Sequence, residues 1–121
     1  MDKLLLAAAV AGFTGVAAGA FGAHVLGPRL DAEMLEVFRT AVLYHLIHAV
    51  ALLAVALLAA RAPATATTVA GWLFVAGIAV FSGSLYALAL SGVKWLGAIT
   101  PLGGLCFLGG WLALGLAALR G

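Results

Sequence analysis

Glu36, Thr40, Tyr44 and His48 follow one another at four-residue steps. On a helix that spacing makes a slowly winding polar ladder. His45 stands three residues before His48 and turns to a neighbouring face. His24 lies upstream and would meet the ladder if the two flanking helices packed as an antiparallel hairpin. The run Phe81-Ser82-Gly83-Ser84-Leu85-Tyr86 adds the hydroxyls of Ser82, Ser84 and Tyr86 beside small residues.

Three kinds of chemistry fit these groups. Imidazoles titrate near neutral pH and relay protons. Histidines on facing helices can ligate a haem iron or another metal, although no pair at haem-spanning spacing is evident. The same groups can hydrogen-bond the head of a quinone or another small ligand near the membrane surface. Against all three stands a plainer reading, in which the side chains bond backbone carbonyls, one another or lipid headgroups. Such interhelical polar contacts are often worth under about 1 kcal/mol. No cofactor is named by these residues.

The elements that must position them follow from the charges. Of 121 residues 66% are hydrophobic and 8% charged, where a soluble domain carries roughly 25% charged residues. Leu4 to Pro28, Thr40 to Ala60, Ala62 to Val93 and Trp95 to Leu119 contain no Asp, Glu, Lys or Arg. Each is long enough to cross a hydrocarbon core, which takes about 20 helical residues. Sustained Leu, Ala, Val and Gly without period-two alternation argue against a β-barrel. The expected fold is an all-α integral membrane bundle of four transmembrane helices, at about 4–26, 40–60, 69–90 and 101–119. A short amphipathic interfacial segment, about 29–39, separates the first two. In it Arg29, Glu33, Glu36 and Thr40 share one face, and Leu30, Met34, Val37 and Phe38 another.

The start resembles a secretory signal, because Met1-Asp2-Lys3 precedes an apolar run and Ala18-Gly19-Ala20 fits a small-x-small cleavage site. It reads better as an anchor, since the remaining spans already commit the chain to the membrane. Helix 1 carries Gly12, Gly15, Gly19 and Gly22 on one stripe, including a literal GxxxG from Gly15 to Gly19, which lets another helix approach closely. Gly27-Pro28 ends this helix, Ser91-Gly92 caps the third, and Thr100-Pro101 offers an N-cap and first-turn proline to the fourth. Tyr44, Trp72 and Trp95 fall near helix ends, where the headgroup layer suits them, whereas Trp111 lies deeper as a packing residue.

Lys3, Arg61 and Arg120 fall on one side and Arg29, Arg39 and Lys94 on the other, so basic residues give little orientation, with a slight tilt towards both ends in the cytoplasm. The single cysteine, Cys106, excludes an intramolecular disulfide and a multi-cysteine zinc site. The net charge of +2 is too small and dispersed for nucleic acid. No glycine-rich loop followed by lysine is present for phosphate binding.

Gly19-Ala20-Phe21-Gly22-Ala23-His24, Phe38-Arg39-Thr40-Ala41 with Tyr44 and His48, the Phe81–Tyr86 run, and Thr100-Pro101-Leu102-Gly103-Gly104 with Gly110-Trp111 occur in that order along the chain. Together they resemble a family of small bacterial inner-membrane proteins of the YgdD and YwdK type, which has eukaryotic mitochondrial relatives. The resemblance covers essentially the whole chain. It implies a small multi-helix fold in the inner (cytoplasmic) membrane, and brings no activity, cofactor or catalytic residue with it. It also implies that position 45 is often glutamine, which favours His24 and His48 over His45.

Two functions compete. One is a structural or accessory protein packing through its glycine faces, within the lipid bilayer, against copies of itself or other membrane proteins. The other binds or transports a proton, ion or small apolar ligand through His24, Glu36, Thr40, Tyr44, His48, Ser82, Ser84 and Tyr86. An intramembrane enzyme has least support, because no nucleophile–base arrangement is visible.

Overall fold

The computed structural model describes residues 1–121. It is all helical, with four helices long and apolar enough to cross a membrane: α1 (Lys3–Leu26), α2 (Ala32–Arg61), α3 (Thr65–Ser91) and α4 (Lys94–Arg120). Their order is antiparallel up and down, with short turns between them, so α1 and α3 run parallel.

Local chemistry sets the ends. The Asp2 carboxylate accepts the Leu5 N–H at 3.0 Å and opens α1, and Asp31 accepts the Met34 N–H at 2.8 Å to open α2. Gly92 closes α3 at φ 73°, a left-handed conformation suited to glycine. Residues 32–39 continue into α2 without a break, so the amphipathic segment forms the first turns of a 30-residue helix rather than a separate element. α3, expected from about residue 69, begins earlier, at Thr65. Thr100 does not cap α4. It is already helical, behind a 3₁₀ stretch Lys94–Ala98, and Pro101 occupies the first turn.

Two helix pairs are built on matched steric fits. The glycine stripe of α1 is covered from within the chain by α2. A side chain at Gly15 would strike Leu46 at 2.6 Å, one at Gly19 would touch Val42 at 3.4 Å, and one at Gly22 would strike the Phe38 ring at 2.6 Å, while Gly12 faces open space. Between α3 and α4 phenylalanines and glycines interlock reciprocally. Phe74 fills the hollow at Gly110, Phe107 the hollow at Gly77, and the backbone of Phe81 lies directly on Gly103. Without a hydrophobic driving force between helices in lipid, such close packing is what holds a bundle together.

Both α1 and α3 contain one π-helical turn, Gly22–Leu26 and Ile78–Ser82. A π-turn inserts one residue and rotates everything beyond it relative to an uninterrupted α-helix. In α3 this change of register falls between the Phe74–Gly77 contacts and the serines that follow. All four helices meet in a core of Leu4, Ala8, Leu52, Val55, Ala56, Phe74 and Phe107. A second group, Leu26, Phe38 and Ala89, fills the opposite end.

Candidate functional site

Two of the polar clusters centre on histidines of α2, on neighbouring faces of that helix. His45 is buried and links three helices. Its Nε2 lies 3.2 Å from Thr14 Oγ1 on α1, and its Nδ1 lies 2.8 Å from the Tyr86 hydroxyl on α3. The Thr14 hydroxyl donates to the Val10 carbonyl at 2.8 Å. With its hydrogen there, Thr14 accepts from His45 Nε2–H, and His45 Nδ1 accepts from Tyr86. The groups then make one chain of bonds running from α3 through α2 to the backbone of α1.

His48 is 5% exposed and enclosed by aromatic rings. Its Nδ1–H donates to the Tyr44 carbonyl at 2.8 Å, and its Nε2 accepts the Trp111 N–H at 3.1 Å. This pair of partners assigns the Nδ1–H tautomer, because a carbonyl only accepts and an indole only donates. The imidazole stacks on Phe107 with centroids 3.6 Å apart and planes 10° from parallel, and Phe74 closes the adjacent side at 5.4 Å. The Trp111 side chain is 46% exposed on the outside of the bundle, where lipid offers its N–H no acceptor, and His48 supplies one.

The serines join helices by different routes. Ser82, fully buried at the end of the π-turn, donates to the Ala41 carbonyl of α2 at 2.9 Å. Ser84 bonds the Phe81 carbonyl at 2.9 Å and the Thr100 hydroxyl at 2.6 Å, tying α3 to the start of α4. No buried side-chain nitrogen or oxygen lacks a partner.

The ladder itself is not a chain of side-chain bonds. Glu36 is exposed, Thr40 donates to the Glu36 backbone carbonyl at 3.0 Å, and the Tyr44 side chain packs on Phe81 with centroids 4.6 Å apart while remaining 39% exposed. His24 is exposed at the far end of α1. Gly22 faces Phe38, and His48 lies ten residues further along α2, about 15 Å at 1.5 Å per residue. The hairpin therefore forms without bringing His24 to His48. His45, set aside in favour of His24, is instead the hub of a cluster. Thr14, Thr100 and Trp111 complete these contacts and were not singled out as polar partners. For Thr14 and Trp111 the signal was depth in an apolar span, where an O–H or N–H needs an acceptor, whereas Thr100 stands at a helix start and carried no such signal. No three His, Cys, Asp or Glu side chains converge to hold a metal ion.

Four apolar spans, short turns and an internally bonded polar interior define a small polytopic α-helical membrane protein. The chain belongs to the family described as "Protein of unknown function (DUF423)", which matches residues 18–104. It is 42% identical over 121 residues to the UPF0382 membrane protein YwdK of Bacillus subtilis (strain 168), covering 99% of this chain and 98% of the relative. It is 45% identical over 114 residues to a UPF0382 membrane protein of Haemophilus influenzae, covering 93% and 90% of the two chains. It is also 38% identical over 117 residues to the UPF0382 inner membrane protein YgdD of Escherichia coli (strain K12), covering 97% and 89%. No solved structure matches the chain.

Proposed function

We propose that this chain is an accessory protein of the bacterial inner membrane, whose polar interior holds its own bundle together and whose outer faces associate with copies of itself or with other membrane proteins. The observation that carries this reading is the saturation of the interior: both ring nitrogens of His45 and of His48 are bonded within the bundle, as are Ser82, Ser84 and Tyr86. The inner membrane follows by similarity to the relative so described in Escherichia coli. Gly15 and Gly19 are covered by α2, so association falls to outward positions such as Gly12, with open space beside it, and Phe13, 78% exposed.

His45 provides the test. A glutamine offers one amide N–H₂ and one carbonyl, the donor and acceptor that Thr14 and Tyr86 require. His45→Gln is expected to keep the wild-type unfolding midpoint in mild detergent, and His45→Ala to lose about 1 kcal/mol, in the range of intramembrane hydrogen bonds. In vesicles carrying an internal pH dye, wild type and His45→Gln should leak protons no faster than protein-free vesicles. A wild-type proton flux that His45→Gln abolishes, with the fold intact, would overturn the proposal in favour of a proton path through Tyr86, His45 and Thr14.

A further inference from the structure

Between α1 and α3 the bundle is open to the side. These two helices run parallel and touch little, and a cleft of about 490 Å³ lies between them. Leu6 and Val10 form one wall, Val75 and Ala79 the other, with Leu52 of α2 behind. The lining is almost wholly apolar. Thr14 and His45 close its inner end, but their polar atoms are bonded to each other and to Val10 and Tyr86. A polar ligand head thus finds no free partner at depth.

The outer end is different. Lys3 and Trp72 flank it, and Leu4 packs on Gly71, which sets Lys3 and Trp72 at the same level. A lysine and a half-exposed tryptophan at one level mark the headgroup layer. From Lys3 to Thr14 is eleven residues, about 16 Å of helix, close to half of a hydrocarbon core about 30 Å thick. The charge at this end is also one-sided. Lys3, Arg61 and Arg120 stand against Asp2 alone, whereas Arg29, Arg39 and Lys94 at the other end are balanced by Asp31, Glu33 and Glu36. The Asp2 carboxylate is moreover engaged by the Leu5 N–H.

We infer that this cleft holds one acyl chain of an anionic phospholipid, with the lipid phosphate at Lys3 and the chain end near the Thr14–His45 contact. The length suits one leaflet, the lining suits a hydrocarbon chain rather than a ring with polar atoms, and the charge at the mouth selects an anionic head. This site goes beyond an accessory role, because it ties the bundle to the lipid composition of one leaflet.

The test uses the full chain in mild detergent with an equimolar mixture of phosphatidylglycerol and phosphatidylcholine of identical acyl chains, read by native mass spectrometry under increasing collisional activation. One phosphatidylglycerol per protomer should survive after other lipids are stripped. Lys3→Gln should reduce its preference over phosphatidylcholine about fivefold, the effect of one basic residue at an anionic surface, and Lys94→Gln, at the balanced end, should leave it unchanged. Ala79→Trp fills the cleft from an exposed position and should remove the retained lipid of either class at an unchanged unfolding midpoint; Val10→Trp, from the opposite wall, serves should that variant not fold. Equal retention of both lipids by wild type, an equal response to Lys3→Gln and Lys94→Gln, or retention untouched by the filled cleft would each overturn the assignment.

Discussion

Gly103→Ala is expected to lower the stability of the bundle by about 3 kcal/mol, the upper range for forcing atoms into a filled core, while Gly12→Ala leaves it unchanged or slightly raised. The two substitutions add the same methyl group to helices of similar composition, and they differ in what that group meets. At Gly12 nothing lies within 4 Å. At Gly103 the new carbon falls on the backbone nitrogen and Cα of Phe81. A flexible side chain can swing aside, but a helix backbone moves only with its neighbours. Phe81 cannot retreat cheaply, because its ring packs against Phe107 and Tyr44 with centroids 5.4 and 4.6 Å away, and the next residue, Ser82, is bonded to α2. Displacing α4 instead would pull Phe107 from Gly77 and Thr100 from Ser84. Thermal unfolding midpoints in one mild detergent measure the difference. A Gly103→Ala protein as stable as Gly12→Ala would show that the α3/α4 contact is looser than this interlock requires.

The interlock also marks where sequence reasoning stopped. The four spans were legible because long intervals without a charge report the membrane directly, and the end of α3 was legible at Gly92 because capping chemistry is local; the start of α2 at Asp31 was not, because the charged stretch behind it hid the continuity of the helix. The pairing of α3 with α4 is not local. It was nonetheless written in the chain as mirrored spacings: Phe74, Gly77 and Phe81 step by three and four, and Gly103, Phe107 and Gly110 by four and three, so an antiparallel alignment sets each phenylalanine against a glycine. The one-residue π insertions at Gly22–Leu26 and Ile78–Ser82 left no such trace, since a single rotation of register barely alters the hydropathy of an apolar span. For that reason the partners of Ser82 and Ser84 could be grouped by sequence but not assigned. The preference for His24 and His48 over His45 rests on the family resemblance, in which position 45 is often glutamine, and spacing along α2 carries no information against His45. The partners of the histidines are decided across helices, and Thr14 and Trp111 carry that information only once the helices are placed.

His48→Ala carries the second large effect, a loss of about 2 kcal/mol, and it distinguishes a packed ring from a free ligand. The substitution removes an imidazole held between Phe107, Phe74 and Trp111 and leaves the Trp111 N–H without its acceptor. In lipid the transfer term of a water-soluble core is absent between helices, so the effect comes from lost contact with close-packed atoms, a residual cavity and the unbonded N–H. Trp111→Phe separates these contributions, since it keeps an aromatic ring beside Phe74 while removing the donor; about 1 kcal/mol is expected, near the value of an intramembrane hydrogen bond. His48→Gln should fall between alanine and wild type, because an amide can still accept from the indole but cannot stack on Phe107 as an imidazole does. Nitrogen-15 spectra of the imidazole supply an independent reading. The Tyr44 carbonyl and the Trp111 indole together demand a proton on Nδ1 and a lone pair on Nε2. A His48→Ala protein as stable as wild type, or an Nε2 that proves protonated, would dissolve the box of partners around this ring. His48 would then be a group available to a ligand rather than a structural element of the bundle.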